Sequence, residues 1–277
     1  MWFGDRRMDN RLPAYFQLSR YNITPQDVVE TVLHCSPGSI QTKAIVTPVW
    51  DVNVFASHLE SMSEISKGVV YQCEYHGQLI SFIRSGIGAP MTGDVILSLA
   101  CTPCERVIFT GSVGGLDASM KIGDLLIPKK SLSGDGFSRY LGPDVETEDC
   151  FLQPAEPDSE LQMTVMKYAS NICKRESVAL HSGTVFSIDS VIAQFFRLDY
   201  LVKNLGCIGI EMETSSVFKA AKLVDIRAST LLQVSDVIPL NKCLFSGRSK
   251  WEMERRHLIK RKVLAKAVLD SVIDDIT

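Results

Sequence analysis

Apolar positions along this chain switch between unbroken runs, alternation and helical spacing, and the switches mark its elements. KAIVTPV (43–49) is an apolar run closed by proline and predicts a first core strand. VVYQCEYHGQLISFIRSG (69–86) holds two alternating runs around His76 and Gly77 and predicts a hairpin. GAPMTGDVILSLA (88–100) has helical spacing behind glycines, whereas RVIFTGSVGGL (106–116) is a β-branched strand that breaks into glycines. GDLLIPKKSLS (123–133) predicts another strand and LQMTVMKYASNICKR (161–175) an amphipathic helix. SGTVFSIDS (182–190), LGCIGIEME (205–213) and IRASTLLQVSDVI (226–238) read as strands. TSSVFKAAKLV (214–224) reads as a helix with Thr214 or Ser215 as its N-cap, and residues 249–273 as a closing helix. Residues 133–160, acidic and rich in Pro and Gly, predict a long loop of the kind that often carries function.

Strands alternating with helices behind an early hairpin predict an α/β sandwich around a mixed or mostly parallel sheet. The 277 residues suit one large domain, and no repeat, low-complexity tract or clear boundary divides them. Residues 43–277 read as that single domain, and residues 1–42 as an N-terminal extension packing on the core or on a partner subunit.

Composition narrows the classes. Hydrophobic residues make up 45% and charged residues 22%, ordinary for a protein with a substantial core. A net charge of −3, with no basic cluster interleaved with aromatics, gives no footprint for nucleic acid. The basic stretch ERRHLIKRK (254–262) alternates with apolar residues at helical spacing and reads as a solvated helix face. No run approaches the length of a membrane span, and MWFGDRRMDN has no apolar run behind its charges, so neither a membrane segment nor a secretory signal is expected. Eight cysteines without an export signal predict reduced thiols and a cytoplasmic setting. CTPC (101–104) has no second pair at zinc spacing and reads as the structural end of a helix.

Four stretches can carry chemistry. In GIEMETSS (209–216), extended geometry would put Glu211 and Glu213 on one side of a strand and Met212 on the other, at a strand end where open α/β sheets bind ligands. Paired acceptors there suit vicinal hydroxyls of a sugar; compensation of a helix dipole by Glu213 is the competing reading. In FTGSVGGL (109–116), bare amides with the hydroxyls of Thr110 and Ser112 could approach a ligand or cradle an anion, or could simply form a tight turn. QVSDVI (233–238) sets Asp236 beside Ser235 after an apolar strand, the setting of a carboxyl with raised pKa, or of an ordinary cap. RSGIGAP (84–90) offers Arg84 and two glycines for an anion or for a turn.

Together SGIGAP, TGSVGGL, GDLLIP, GIEMET and VSD, in this order and spacing, resemble the nucleoside phosphorylase and nucleosidase family, which cleaves N-ribosidic bonds; the resemblance runs from about residue 43 to the C-terminus. It implies a three-layer α/β/α sandwich whose mixed central sheet is partly barrel-like. It also implies a homo-oligomer (dimer, trimer or hexamer) acting on a small-molecule nucleoside or nucleotide, without metal or organic cofactor. By the same resemblance Glu213 would hold the ribose hydroxyls, Met212 would pack on the sugar with Glu211 close by, and Asp236 beside Ser235 would protonate the departing base. Phe186 would stack on the base, and Thr110, Gly111 and Ser112 would face the sugar and the nucleophile. Breaking the bond leaves positive charge on ribose and negative charge on base, which carboxylates and a proton donor respectively relieve.

Departures from the family pattern concern the nucleophile. The GDP-x-R phosphate loop is absent, since the region reads SPGSIQTKAIVTPV, and Phe109 stands where phosphorylases of the family place an arginine. These losses lean the reading toward hydrolysis, with Asp51 in TPVWDVNVF as the acid nearest the position of a water activator. Phosphorolysis, with inorganic phosphate as co-substrate and Arg84 or Arg248 as its ligand, is the alternative; a nucleoside-binding protein without turnover is a third reading from another class. Gln194 and Arg197 in VIAQFFRLDY could read a pyrimidine but read better as a helix surface, and Asp236 is more typical of purine sites.

Overall fold

The computed structural model describes residues 18–141 and 150–274. In chain order the elements are α1 (Pro25–Leu33), β1 (Lys43–Thr47), β2 (Ser61–Ser66), β3 (Val70–Tyr75), β4 (Gln78–Arg84), α2 (Ala89–Leu99), β5 (Arg106–Gly115) and β6 (Leu125–Gly134). Then come β7 (Pro154–Ala155), α3 (Ser159–Glu176), β8 (Leu180–Ile188), α4 (Leu198–Lys203), β9 (Cys207–Glu211), α5 (Thr214–Leu223) and β10 (Arg227–Val237). The chain ends in α6 (Lys250–Ile259), a π turn (Lys260–Leu264) and α7 (Ala265–Ile273).

The parallel strands β1, β4, β5 and β10 lie side by side in one direction. Their central residues are buried on both sides, polar ones such as Ser229, Thr230 and Gln233 included, because helices cover both faces. Alternation sends Val46, Val107 and Phe109 to one face, where they cluster with Val29 and Leu33 of α1, Ile96 and Leu99 of α2, and Val217 and Phe218 of α5. Ile45, Ile108 and Leu231 point the other way and meet Leu161, Val165 and Ala169 of α3, Ile259 of α6, and Val268 and Leu269 of α7. The three-layer sandwich expected from the sequence is therefore present. The barrel is present too. β5 pairs with β9 and β10, β10 with β6, β6 with β8, and β8 with β9, so five strands close a ring. β4, β3 and β2 continue the sheet outward as an antiparallel meander. The hairpin turns at His76 (φ 50°) and Gly77 (φ 68°), the two positive-φ residues a tight hairpin turn requires.

Several elements differ from expectation. β2, SMSEIS, is a polar edge strand, a composition that discourages further pairing. The predicted loop 133–160 is partly ordered: β7 pairs with Ser131 and Leu132 of β6, while residues 142–149 lie outside the described residues. The closing helix is interrupted by the π turn. In the predicted extension, α1 begins at a capping box of Thr24 and Asp27 and buries Val29 and Leu33; residues 1–17 lie outside the described residues. Cys101 and Cys104 are buried thiols just past α2, within the apolar cluster. No helix of the described residues is long and apolar enough to cross a membrane.

The turn before β6 fixes α6. Gly123 has φ 96°, and a Cβ there would lie 2.9 Å from Arg255 Nη1 and 3.4 Å from Arg256 Cα. Gly123→Ala should therefore destabilise the fold by about 1–3 kcal/mol, from the strained φ and the displaced α6, read as a fall in Tm of several degrees. An unchanged Tm would contradict this packing.

Candidate active site

β9 runs antiparallel to the end of β5, pairing Ile210 with Gly114 and Gly209 with Gly115. Beyond Glu211 the extended geometry stops: Glu213 has φ −137° and ψ −30°. The two glutamates therefore part rather than share a side. Glu211 is buried, and its Oε2 accepts from the amides of Glu213 at 2.7 Å and Thr214 at 2.6 Å, while its Oε1 accepts from the Ser187 hydroxyl. Glu211 thus satisfies the free amides at the start of α5, the task expected of Thr214 or Ser215, and it is occupied by the protein rather than facing a ligand. Thr214 is already inside the helix, and Ser215 donates to Asp135 Oδ2. Glu213 is held differently. Its Oε1 accepts from the Gly88 amide at 2.7 Å, in the loop between β4 and α2. Burial, and then the charge of Glu211, push its carboxyl up to about 8. Met212, between them, is half-buried.

Asp236 owes its position to a bulge. The register of β10 against β5 shifts between Val234 and Asp236, leaving Ser235 out of step and setting Asp236 opposite Gly114. A Cβ on Gly114 would lie 3.3 Å from Asp236 Oδ2 and 3.2 Å from Ile210 Cγ2, so a side chain here would have to push its neighbours aside by a few tenths of an ångström. The Ser235 hydroxyl donates to Asp236 Oδ1. Burial raises the Asp236 carboxyl, against the opposing pull of Ser235, Arg248 and Arg256.

Along β5, Thr110 Oγ1 donates to the Leu231 carbonyl at 2.7 Å and is fully buried, whereas Gly111 faces Pro48 of the loop after β1. Ser112 Oγ accepts from Arg256 Nη2 at 2.7 Å. Arg256 is the residue the sequence reading missed by treating its stretch as a solvated face. The inward face of α6 is set by a Ser249–Glu252 capping box and by Arg255, which donates to the Ile122 carbonyl and, at 3.1 Å, to Asp124 Oδ1. Gln233 Nε2 donates to the Arg256 carbonyl at 2.9 Å. The usable signal was the four-residue spacing of Arg256 and Lys260 around the apolar Ile259 and Val263. Arg256 Nε is buried without a hydrogen-bond partner among the described residues. Arg248 donates to the Ser235 carbonyl at 3.4 Å and the Leu244 carbonyl at 2.9 Å, beside Asp236.

Other expected residues stand apart. Asp51 is exposed and accepts from the Asn53 amide at 2.9 Å, capping a short 3-10 turn. Arg84 lines a cavity of about 440 Å³ with Thr31, His34, Pro48, Met91 and Asp94; its Nη1 reaches the Gly68 carbonyl at 3.4 Å. Phe186 is 2% exposed, enclosed with Leu116, Leu132, Ile210 and Ile238. Its ring also meets Phe151 edge-on at 6.2 Å. Gln194 is spent on the Val191 carbonyl, and Arg197 precedes α4.

This arrangement, a closed barrel with buried carboxyls at its mouth inside an α/β sandwich, is the fold of nucleoside phosphorylases. The chain superposes on the uridine phosphorylase of Vibrio fischeri ES114 with a TM-score of 0.70 at 20% identity, covering 84% of this chain and 92% of that one. On the purine nucleoside phosphorylase of Toxoplasma gondii the TM-score is 0.64 at 19% identity, covering 83% and 90%. The profile described as Phosphorylase superfamily matches residues 45–261, and the chain belongs to that family. Among curated relatives, a uridine phosphorylase of Thermococcus kodakarensis is 30% identical over 76% of this chain and 74% of its own. A DeoD-type purine nucleoside phosphorylase of Mycoplasma genitalium is 21% identical over 79% and 89%. A 5'-methylthioadenosine/S-adenosylhomocysteine nucleosidase of Actinobacillus succinogenes is 26% identical over 67% and 81%.

Glu213 generates a stability prediction. Its folded pKa lies above the ordinary carboxylate value, so its contribution is fully present below about pH 4.5 and is lost as pH rises through about 8. Glu213→Gln removes that loss. The ligand-free variant should match the wild type near pH 5 and exceed it near pH 8 by on the order of 1 kcal/mol or more, measured by denaturant unfolding at both pH values. A variant less stable at pH 8 would contradict the raised carboxyl.

Proposed function

We propose that this chain cleaves the N-ribosidic bond of a nucleoside by phosphorolysis, with residues 43–277 as the catalytic unit and inorganic phosphate as the acceptor. The observation that carries the reading is the Ser112 hydroxyl bonded at 2.7 Å to Arg256, whose Nε is buried and without a partner among the described residues. The lean toward hydrolysis rested on Phe109 and the absent phosphate loop. Phe109 is fully buried in the core, and the cation at Ser112 comes from α6 instead. Asp51, proposed to activate water, is exposed and engaged in its own turn. Relatives named as phosphorylases support the same side.

In this reading the ribose hydroxyls lie against Glu213, with Met212 beneath the sugar. As the bond between the sugar carbon and the base nitrogen breaks, its electron pair leaves with the base. Asp236, its carboxyl raised by burial, would pass a proton to the base, and its carboxylate is then stabilised by Arg248 and Arg256. A phosphate oxygen held at Ser112 forms the new bond to the sugar carbon, giving a ribose 1-phosphate and free base. Approach of ribose hydroxyl donors, and of the positive charge developing on the sugar, favours ionised Glu213. Phe186 is enclosed in the core, so base stacking is assigned to no residue.

The test is release of free base from a panel of purine and pyrimidine nucleosides, AMP and methylthioadenosine, with and without phosphate. Release should require phosphate. Asp236→Asn should lower kcat by about 100-fold or more with the fold intact by circular dichroism. Release without phosphate would favour hydrolysis, binding without release a non-catalytic nucleoside-binding protein, and full activity in Asp236→Asn would remove that residue from the site.

A further inference from the structure

We propose that Lys260 is a second cation of the nucleophile subsite and that it holds orthophosphate together with Arg256 and Ser112, in place of the arginines this chain lacks. The inference rests on the phosphorolytic reading above.

Lys260 is 9% exposed. Among the described residues no hydrogen-bond acceptor is assigned to its Nζ; its neighbour is the ring of Trp50, 4.9 Å from Nζ to the centroid. The side chain is largely covered, which strips part of the hydration of its ammonium, and one aromatic face replaces only part of what is lost. The charged groups around it deepen the deficit. Arg256, Arg261 and His257 share its helix, and from the facing loop His58 Nε2 lies 2.8 Å from the Arg261 carbonyl. No carboxylate pairs with Lys260 among the described residues. Burial first, then Arg256 and Arg261, push its ammonium down to about 8. A neighbouring dianion reverses each of these effects.

The geometry directs this unmet charge to the site. Lys260 follows Arg256 by four residues, so both project from one face of the helix, and the face is the one that meets Ser112. Lys260 opens the π turn, a widened turn of a kind frequent at functional sites. Trp50 follows β1, two residues after Pro48, and Pro48 packs against Gly111, the residue before Ser112. The loop after the first strand thus supplies an aromatic wall beside the glycine turn, and the helix supplies the cations. Phosphate, with acceptors on every side, can take the Ser112 hydroxyl, Arg256 through its unpartnered Nε, and Lys260 Nζ together.

The experiment compares wild type, Lys260→Met and Lys260→Arg. It measures the phosphate dependence of base release and the thermal protection each protein gains from inorganic phosphate alone. Lys260→Met should raise the KM for phosphate about tenfold or more while leaving the KM for nucleoside within about twofold, and should lose most of the phosphate-induced rise in Tm. Lys260→Arg should recover most of both. The Tm without phosphate shows whether the methionine variant folds. If wild-type release depends on phosphate but Lys260→Met keeps the same KM and protection, the role of Lys260 is overturned and phosphorolysis stands. If wild-type release ignores phosphate, the functional reading falls, and this inference with it. A Lys260→Met variant that raises the KM for AMP but not for phosphate would overturn the assignment in favour of a substrate 5'-phosphate.

Discussion

The ring of five strands closes at Gly114, and the geometry of the site follows from that closure. One residue is paired on one side with Ile210 of β9 and on the other with Asp236 of β10. The gap is tight, since a Cβ would press on both neighbours. Because β9 runs back along β5, the chain leaving it heads toward Ser112. The turn bearing Glu213 and the bulge bearing Asp236 therefore reach one mouth from opposite sides of a single glycine. A bulky residue at this position would disturb the ring and Asp236 in one step.

Charge is then divided across that mouth. On the α5 side, the helix N-terminus absorbs one carboxylate. Glu211 takes two amides and a hydroxyl, which leaves Glu213 as the second acid in a buried place with a like charge beside it. On the α6 side stand Arg248, Arg256 and Lys260, and both arginines act on the Asp236 carboxyl through charge rather than contact. A ligand whose sugar turns positive and whose base and acceptor carry negative charge complements both halves. Such fixed charges do not have to reorganise during the reaction, which is the condition under which electrostatic stabilisation is strongest.

The layered fold was legible because burial on both faces favours short apolar runs, such as residues 44–46 in β1 and 107–109 in β5, and one-sided burial demands the helical spacing of Leu161, Val165 and Ala169. The hairpin was legible because few residues besides His76–Gly77 pairs and their like accept positive φ at a two-residue turn. β2 was not, because a polar edge strand has the composition of a loop. In the site, the residue types around Glu213 and Asp236 could be read, but their partners could not. The same-side argument for Glu211 and Glu213 assumed one more residue of extended chain than β9 contains. Thr214 looked like a cap because caps are usually local, whereas here a strand residue upstream does that work. Phe186 looked available for stacking because nothing local revealed that Gly134 leaves its ring room to sink into the core, where a Cβ would lie 2.1 Å from it.

The basic stretch of α6 shows why the nucleophile side was hardest to read. Charge on a helix is normally solvated, and only a distant anchor makes it otherwise. That anchor is Asp124, which is buried and accepts from Arg255 and from the Lys121 amide, and pairs with His181 of the neighbouring strand β8 at 3.1 Å. The same turn clamps Val234, with the Gly123 amide donating to its carbonyl and its amide donating to the Asp124 carbonyl, both at 2.8 Å. One turn therefore sets the rotation of α6 and the start of the bulge that aims Asp236. An anion at Ser112 requires donors at the right distance; it does not require them to come from a particular strand or loop. With the helix held in this register, arginine can be absent at position 109 and from the loop after β1 while Arg256 still reaches Ser112.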